Sequence, residues 1–578
     1  MLRHAPAGEP WRSRPPLSRA AIARLVQFAG LYDIVTSLLP PHGGRIAALA
    51  EFLPTAGILS ARAATAAAGL LLIYLGAGLR RGKHRAWQVA VVLSGAGVVL
   101  HLAKGLDYDA ALVSAALLVL LIVVRGRFQA LADPRNRWRA LLALAGFAAA
   151  GFLVGFLEIA VRMNRLEGRP GWLSWAEESA LGLIGLSGPV RFVHPLGAEA
   201  VSLTTGAFGL LAVAMAVVLL LRPGIRLPER TPADDKNLRD LLHRYGAGDS
   251  LGYFALRADK SLIWAPSGAA VVAYRVVNGV SLASGDPIGA ESAWPDAIGA
   301  WLADCTVHGW TPAVLGCGNA GGRAYRKQGL DVVELGDEAV LDVAGFSLQG
   351  RPMRGVRQAV SRIQRAAYAC EVARQRELST EVLAEAVHAA EAFRDGAVER
   401  GFSMALSRLG DPGDGDCLFV ICRDSSGRIR GLLQFVPWGT DGLSLDVMRG
   451  DRTADNGLTE FMVVSALEAA PSLGIRRVSL NFAVLRSVFA RAEELGAGPV
   501  LRLWHRLLKA ASRLWQIESL YRANAKYQPV WQPRYLCFPT ARDLPRIAVA
   551  ALSAEAFLPG RRSRPEPVPA GHAIVGLG

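Results

Sequence analysis

Long apolar stretches in the first 222 residues constrain the fold of this chain most strongly. Each is long enough, or nearly so, to cross a bilayer core of about 30 Å as a helix. We predict six spans, at residues 20–39, 56–79, 86–102, 106–124, 140–161 and 198–221. The basic residues 1–19 are followed by no small-residue cleavage site, so we expect a multi-pass membrane protein without a removable signal peptide.

Basic residues between the predicted spans set the orientation, because short loops rich in Arg and Lys are retained in the cytoplasm. The groups at residues 3–19, 80–85, 125–139 and 222–226 all fall on one side of a six-span topology. Both termini, and everything after residue 222, are therefore predicted to lie on the cytoplasmic side of the plasma membrane.

Two carboxylates lie inside the predicted spans, where an unpaired charge costs several kcal/mol. Asp33 and Glu158 are interpreted as marking a lipid-headgroup or translocation site between helices. For Glu158 the local alternative is an ion pair with Arg162, one helical turn later.

The pattern changes after a Pro-rich and charged linker at residues 223–237. We predict a strand meander followed by helices and strands, at residues 251–256, 262–264, 269–276, 280–284, 294–308, 311–315, 323–328 and near 332 and 340. A similar order recurs at residues 417–422, 429–436, 443–447, 457–470 and 477–481. Two tandem α/β units, residues 238–350 and 370–540, account for this repeat, and the order suits N-acetyltransferase-like folds. A C-terminal tail, 541–578, follows.

Residues 351–369 are predicted to form a basic helix that connects the two units. On a helix Val356, Val360 and Ile363 share one face, and the arginines form a separate stripe: Arg351, Arg354, Arg357, Arg362 and Arg365. Almost no acidic residue balances the stripe. It is predicted to bind phosphate groups of RNA or phospholipid, the alternative being a solvated helix face.

The net charge of +15 also favours a polyanionic partner, either nucleic acid or an anionic membrane face. Residues 500–515 predict a second basic amphipathic helix, which either lies on the membrane or packs on the second unit. The six cysteines include no CxxC pair and no His at ligand spacing, so no metal site is expected.

Seven motifs in the second half carry a resemblance to a known family. They are GDPIG (285–289), LGDEAVLDV (335–343), FSLQGRPMRGVRQAVSR (346–362), FVPWGTDGLSLDVMR (435–449), DNGLTEFMV (455–463), SLNFA (479–483) and IESLYRANAKYQPVWQPRY (517–535). Together they resemble the phosphatidylglycerol lysyltransferases, the lysylphosphatidylglycerol synthases of the multiple peptide resistance factor family. The similarity covers residues 240–540.

The resemblance implies an α-helical membrane domain followed by a cytoplasmic α/β domain, built from two tandem N-acetyltransferase-like folds joined by the basic helix. It implies transfer of an aminoacyl group from aminoacyl-tRNA to the glycerol hydroxyl of phosphatidylglycerol, without a cofactor. Lysyl, from lysyl-tRNA, is the first candidate, and alanyl or another aminoacyl group is the alternative, because the family contains several specificities. The product would lower the negative charge of the membrane and give resistance to cationic antimicrobial peptides. A pyrophosphate-binding loop is missing before residues 457–470, which disfavours acetyl-CoA as donor. The chain ends in a Pro- and Arg-rich tail, so we expect charged tRNA to come from a separate enzyme.

An aminoacyl ester is already activated, so catalysis needs positioning of the hydroxyl, removal of its proton and stabilisation of the oxyanion. The resemblance places essential residues at Asp446 and Arg449. Asp446 is expected to act as base or to bind the α-ammonium, and Arg449 to hold a phosphate. The alternative is a structural ion pair.

Further candidates come from the other motifs. Asn481 is a catalytic candidate as donor to the ester, or else a strand-end cap, and Glu518 is expected to recognise a cationic side chain. The candidate binding residues for tRNA, amino acid or lipid are Arg354, Arg357, Arg362, Tyr521, Arg522, Asn524 and Lys526. Asp286 and residues 336–338 are interpreted as structural turns.

Two alternatives remain at this point. An aminoacyl-tRNA-dependent ligase of peptidoglycan precursors would share the paired folds and transfer to an amine. A lipid transporter or flippase with a lipid-binding cytoplasmic domain would use Asp33 and Glu158 and form no aminoacyl ester.

Overall fold

The computed structural model describes residues 18–38, 55–103, 107–128, 130, 135–220, 230–394, 401–484 and 522–557. The predicted helix at 500–515 and the candidate residues Glu518 and Tyr521 lie outside these ranges. The chain divides into two compact units, one mainly of residues 12–226 and the other mainly of residues 227–302 and 312–578.

Helices make up the first unit, and every predicted span corresponds to one of them. They are α1 (Arg19–Leu38), α2 (Thr55–Arg80), α3 (His84–Ala103), α4 (Tyr108–Val123), α5 (Arg135–Val161), α6 (Trp172–Leu183) and α7 (Pro195–Leu220). The short helix α6 was not predicted. Within the described ranges, four helices are long and apolar enough to cross a membrane: α2, α3, α5 and α7. Helix α4 has only 16 residues, and α1 includes the charged Arg24 and Asp33.

Small residues allow the helices of this unit to approach closely. A Cβ added to Gly30 of α1 would lie 2.5 Å from the carbonyl oxygen of Gly69 in α2. Large apolar side chains instead point outward, and Phe28, Leu112 and Val161 are 67%, 71% and 84% exposed. Small inner faces and large apolar outer faces are typical of helices that pack against each other in lipid.

Both carboxylates predicted inside the spans have partners. Glu158 Oε2 lies 3.3 Å from Arg162 Nη1, which confirms the local ion pair, and Glu158 Oε1 accepts from Thr204 Oγ1 at 3.2 Å. Asp33 Oδ1 lies 2.9 Å from His101 Nε2, and both side chains are buried. Asp33 is therefore paired with a residue of another helix, as a buried polar group requires.

The second unit is built on one mixed sheet. Its strands are β1 (Ser261–Trp264), β2 (Ala270–Val277), β3 (Val280–Ser284), β4 (Ile288–Gly289), β5 (Thr311–Cys317), β6 (Asp331–Asp342), β7 (Ala369–Arg374), β8 (Leu418–Arg423), β9 (Ile429–Trp438), β10 (Gly442–Gly450), β11 (Arg477–Val484) and β12 (Val530–Phe538). The predicted strand at 251–256 is wrong, because Gly252–Leu256 forms a 3₁₀ turn whose five residues are all buried. The two strands predicted near 332 and 340 are one long strand, β6.

Helices cover the sheet on both faces. They are α8 (Pro232–Tyr245), α9 (Trp294–His308), α10 (Asn319–Lys327), α11 (Arg354–Arg365), α12 (Thr380–Arg394), α13 (Leu458–Ala469) and α14 (Leu544–Ala554). Part of the predicted linker is thus helical, since Thr231 caps α8 through a capping box with Asp234. Helix α14 lies in the predicted tail.

The strand order is β1-β2-β3-β5-β12-β6-β11-β10-β9-β8-β7, and β4 pairs with β2. Strand β12 comes from the end of the second predicted unit but lies between β5 and β6 of the first. It pairs antiparallel with β6 from Val530 opposite Val340 to Phe538 opposite Asp331. The two predicted units therefore share one continuous sheet.

Two apolar cores lie against this sheet. One contains buried residues of α8, α12 and α14, including Leu238, Ala386 and Ile547. The other contains buried residues of α11 and α13, including Val360 and Met462. The predicted apolar face of the basic helix is confirmed, because Val356, Val360 and Ile363 are all buried in this second core.

Candidate functional site

The candidate site lies where β10 and β11 stop pairing. These parallel strands are in register from Gly442 opposite Arg477 to Ser444 opposite Ser479. Beyond that point β10 continues along β9, whereas β11 continues along β6. The separation of two parallel strands exposes backbone and side-chain groups that a continuous ladder would occupy.

Asn481 links the two strands just after they separate. Its Nδ2 donates to the carbonyl oxygen of Leu445 at 2.5 Å, and Ser444 Oγ lies 3.5 Å from its Oδ1. The residue has a φ of 68°, in the left-handed region that Asn tolerates better than most residues. The predicted alternative of a structural role at the strand end fits this contact. Its predicted role at the ester stays a prediction.

Asp446 occupies a bulge in β10. The register of β10 with β9 shifts between Leu445 and Val447, so Asp446 is left out of the ladder. A bulge of this kind re-aims a side chain and is common beside active sites. The backbone N–H of Leu406 donates to Asp446 Oδ1 at 2.9 Å, and Asp446 is half-buried.

The bulge also decides where Arg449 points. In a regular strand, side chains three residues apart lie on opposite faces. After the bulge the pairing of β10 with β9 is regular, so Val447 and Arg449, two residues apart, lie on the same face. Val447 is buried in the same core as Leu406, whose backbone N–H contacts Asp446. Asp446 and Arg449 therefore share one face of the sheet. Among the described residues Arg449 has no ion-pair partner, and it is half-buried. Asp446 and Arg449 therefore do not form the structural ion pair that was the predicted alternative.

A buried ionic network lies next to the point where β10 and β11 separate. The sequence patterns did not predict it. Arg534 of β12 donates from Nη2 to Glu338 Oε2 at 2.5 Å and from Nη1 to Asp249 Oδ1 at 2.6 Å. Ser250 and Ser479 both donate to Glu338 Oε1. Burial alone would lower the pKa of Arg534, but the two carboxylates hold it above its ordinary value.

The position of Glu338 in this network shows that the turn predicted at residues 336–338 is wrong. Residues 336–338 are not a turn, because they lie inside β6 and Glu338 is fully buried. Ser479, at the last paired position of β11, joins the network directly to the candidate site. The sequence feature that could have indicated this network is the charged residue Arg534 within an otherwise largely apolar strand.

Asp286 has a structural role that agrees with the predicted turn. Its carboxylate accepts from the backbone N–H groups of Gly318 and Gly321, at 2.7 and 3.2 Å, at the start of α10. Burial, aided by the nearby charge of Asp249, raises the pKa of Asp286 to about 7. Both carboxylates line a cavity of about 170 Å³.

The other candidates from the ESLYRANAK motif are only partly described. Asn524 is buried, and its Nδ2 donates to the carbonyl oxygen of Leu480, beside Asn481. Lys526 Nζ lies 2.8 Å from Glu460 Oε1 in the first turn of α13. Arg522 is exposed, and Glu518 and Tyr521 lie outside the described residues. The roles predicted for these residues stay predictions.

The arginine stripe of α11 is exposed as predicted: Arg351, Arg354, Arg357, Arg362 and Arg365. Three of its members donate to backbone carbonyl groups, and Arg365 does so to Ser361 of its own helix at 3.1 Å. Arg357 donates to the carbonyl oxygen of Leu348 at 2.5 Å, and Arg362 to that of Asn456 at 3.4 Å. The side chain of Arg354, in the first turn of α11, has no hydrogen-bonding or ionic partner within the described ranges. A cation at a helix N-terminus opposes the helix dipole, so its presence there favours a role in binding an anion.

The sequence of the second half matches a known protein family. Residues 239–538 match the family model of the phosphatidylglycerol lysyltransferase C-terminal region. The chain belongs to the lysylphosphatidylglycerol synthase family. A second model, the transmembrane region of lysyl-tRNA synthetase, matches residues 17–221, which cover all seven helices of the first unit.

Curated members of the lysylphosphatidylglycerol synthase family are similar over most of this chain. The lysylphosphatidylglycerol biosynthesis bifunctional protein LysX of Mycobacterium avium is 44% identical over 521 residues, which are 87% of this chain and 43% of that protein. The LysX protein of Rhodococcus opacus is 45% identical over 449 residues, 78% of this chain and 40% of that protein. The chain thus spans less than half the length of these relatives.

A solved structure shares the fold of the second unit. The structure of L-PGS from Bacillus licheniformis superimposes with a TM-score of 0.50 and 21% identity, and covers 58% of this chain and 99% of that chain. Membership of the lysylphosphatidylglycerol synthase family therefore rests on sequence, and the likeness to this structure concerns the fold. Helix α14 follows the last residue of the matched region, Phe538.

Proposed function

We propose that this chain transfers a lysyl group from lysyl-tRNA to the glycerol hydroxyl of phosphatidylglycerol. The observation that carries the proposal is the placement of Asp446 and Arg449 on one face of β10, at the point where β10 and β11 separate. Family membership and the names of the LysX relatives support the same reaction.

The reaction requires no covalent bond between the protein and its substrates. The lipid hydroxyl oxygen attacks the ester carbonyl carbon, and its proton passes to the Asp446 carboxylate. The carbon–oxygen bond to the tRNA ribose then breaks, and the ribose oxygen takes up the proton. Positioning of the two substrates and a general base account for such a transfer, with contributions of about 100-fold or more from the base.

Arg449 is proposed to hold a phosphate group of one substrate. Its guanidinium is half-buried on the same face as Asp446 and has no ionic partner among the described residues. A guanidinium presents paired donors that match phosphate oxygens. Holding the phosphate there would place the hydroxyl beside the Asp446 carboxylate.

The arginine stripe of α11 is proposed to bind the tRNA backbone. Four exposed arginines lie on α11, whose opposite face is buried, and Arg351 lies just before it, so the charge is held at the surface. Within the described part of the chain, the guanidinium groups of Arg351 and Arg354 make no hydrogen bond, and Arg354 is the one of the two that lies on α11. Contacts to phosphates contribute affinity without reading sequence.

The membrane unit is proposed to keep the α/β unit beside its lipid substrate. We infer six spans with both termini cytoplasmic. We also infer two tandem N-acetyltransferase-like folds, residues 238–350 and 370–540, in which strand β12 of the second lies between strands of the first. Each transfer would change a lipid of charge about −1 into one of about +1, which lowers the attraction of cationic peptides. Resistance to such peptides is the expected consequence.

The proposal is tested with the purified full chain in phosphatidylglycerol vesicles, supplied in parallel with lysyl-tRNA and alanyl-tRNA. Lysyl-phosphatidylglycerol should form only with lysyl-tRNA. Formation of only the alanyl product would overturn the choice of amino acid. Formation of neither product, with intact charged tRNA and folded protein, would contradict the transferase.

A further inference from the structure

The segment of residues 401–409 contacts Asp446 directly and is held in place from two directions. Leu406, which is 1% exposed, donates its backbone N–H to Asp446 Oδ1 at 2.9 Å. This bond fixes one carboxylate oxygen of the proposed base. The position of segment 401–409 therefore contributes to the orientation of the Asp446 carboxylate.

Glu555, immediately after α14, holds the start of the segment. Its Oε2 accepts from the backbone N–H of Phe402 at 2.6 Å, and its Oε1 accepts from the N–H and hydroxyl of Ser403, at 3.1 and 2.8 Å. Phe402 and Ser403 are fully buried. Three donors on one carboxylate are charge-assisted bonds, about twice as strong as neutral ones.

Two basic side chains from the first half of the α/β unit contact the same segment. Arg257 Nη1 donates to the carbonyl oxygens of Gly401 and Ala405, at 2.5 and 3.1 Å, and to Ser407 Oγ at 2.7 Å. The Nζ atom of the buried Lys260 lies 4.7 Å from the centre of the Phe402 ring. The segment is therefore tied to the first half as well as to α14.

The far end of the segment has its own anchor. Arg408 donates to both carboxylate oxygens of the buried Asp414, at 2.7 and 2.8 Å. Tyr253 also donates to Asp414, at 2.9 Å. Because both ends are fixed, the N–H of Leu406 is held between them at a set distance from the bulge.

We propose that Glu555 is a positioning residue for Asp446 and acts through segment 401–409. It touches no reacting group, and it lies beyond the last residue of the matched family region. This inference rests on the proposed function, because it takes Asp446 as the base. It assigns to α14 the role of fixing the catalytic carboxylate from the end of the sheet.

The test compares Glu555→Gln with wild type in the full chain. A glutamine offers only one acceptor oxygen, so one of the two N–H groups of Phe402 and Ser403 loses its partner. We expect faster hydrogen exchange at the Leu406 amide. We also expect kcat for lysyl transfer to fall about 10- to 100-fold while KM for lysyl-tRNA is unchanged.

A matched control comes from the other end of α14. Asp543 accepts a hydrogen bond from Thr540 Oγ1 at an exposed position, so Asp543→Asn perturbs the same helix without reaching the segment. Its kcat and Leu406 exchange should equal those of wild type. Should Glu555→Gln fail to fold, Ser403→Ala replaces it, because it removes the hydroxyl that donates to Glu555 Oε1 and should give the same changes in smaller measure.

The outcomes separate the two proposals. Slow exchange at Leu406 in the variant, or fast exchange with an unchanged kcat, would overturn the role of Glu555. Equal losses in Glu555→Gln and Asp543→Asn would overturn it as well, since helix stability would then explain both. A wild-type chain that forms no lysyl lipid would contradict the proposed function, whereas the exchange result would still test the contact.

Discussion

Asn481 donates a side-chain hydrogen bond to the carbonyl oxygen of Leu445, one residue beyond the last backbone pairing of their two strands. A side-chain hydrogen bond thus replaces the backbone hydrogen bonds between β10 and β11 where the two strands diverge. The next residue of β10 is Asp446, so the link fixes the strand from which the proposed base projects.

Substitution of Asn481 should lower stability by two separable amounts. In Asn481→Ala, the lost hydrogen bond and the left-handed φ of 68° should together lower the free energy of unfolding by about 2 kcal/mol. In Asn481→Gly only the bond is lost, so the decrease should be about 1 kcal/mol. Denaturant unfolding of both variants measures the difference. An alanine variant as stable as wild type would contradict the link.

The salt dependence of tRNA binding should depend on Arg354. Loss of one phosphate contact should reduce the slope of log affinity against log salt by about 0.7 to 0.9. Arg354→Gln should show this reduction in a binding titration across salt concentrations. Arg323→Gln, at an exposed position of α10, serves as the control and should keep the wild-type slope. Equal slopes in all three proteins would favour a solvated helix face.

Removal of Arg534 should destabilise the α/β unit strongly. Arg534→Met leaves Glu338 and Asp249 buried without their counter-ion, which typically costs about 3–5 kcal/mol. Arg534→Met combined with Glu338→Leu removes one of these carboxylates as well and should recover part of the loss. Denaturation of single and double variants provides the comparison. A double variant less stable than the single one would show that the network does not act as an ionic unit.

Lys260 should make stability depend on pH. Burial, with a smaller contribution from Arg257, lowers the pKa of Lys260 from 10.5 to about 7. Between these values the unfolded chain holds a proton that the folded chain lacks. The free energy of unfolding should therefore rise with pH over this window, by up to about 1.4 kcal/mol per unit, and the burial penalty should be constant below it.

Lys260→Met removes the titrating group and should flatten this part of the stability profile. Lys327→Met changes an exposed lysine of α10 and should keep the wild-type slope. Unfolding measured at pH 7 to 10 for the three proteins provides the test. A slope in Lys260→Met equal to that of wild type would assign the dependence to other groups.

Local patterns predicted the elements of this protein better than their pairing. The helix predicted at 294–308 is Trp294–His308, and the buried face of α11 follows from the spacing of Val356, Val360 and Ile363. These features depend on neighbours within a few turns, which periodicity reports.

The missing features depend on distant parts of the chain. The insertion of β12 between β5 and β6 brings Arg534 to Glu338 across 196 residues, and the contact of Leu406 with Asp446 spans 40. The bulge at Asp446 and the left-handed Asn481 leave no periodic signal. The motifs located the candidate site, but only the fold shows how Asp446 is held.

Mass spectrometry of total lipids tests the central claim most directly. Cells expressing the wild-type chain or Asp446→Asn would be supplied with labelled lysine and, in parallel, labelled alanine. An asparagine keeps an acceptor for the Leu406 N–H but is not a base. We predict labelled lysyl-phosphatidylglycerol in wild-type cells and its absence with Asp446→Asn at equal protein levels. Equal amounts of the lipid in both, or none in either, would contradict the account.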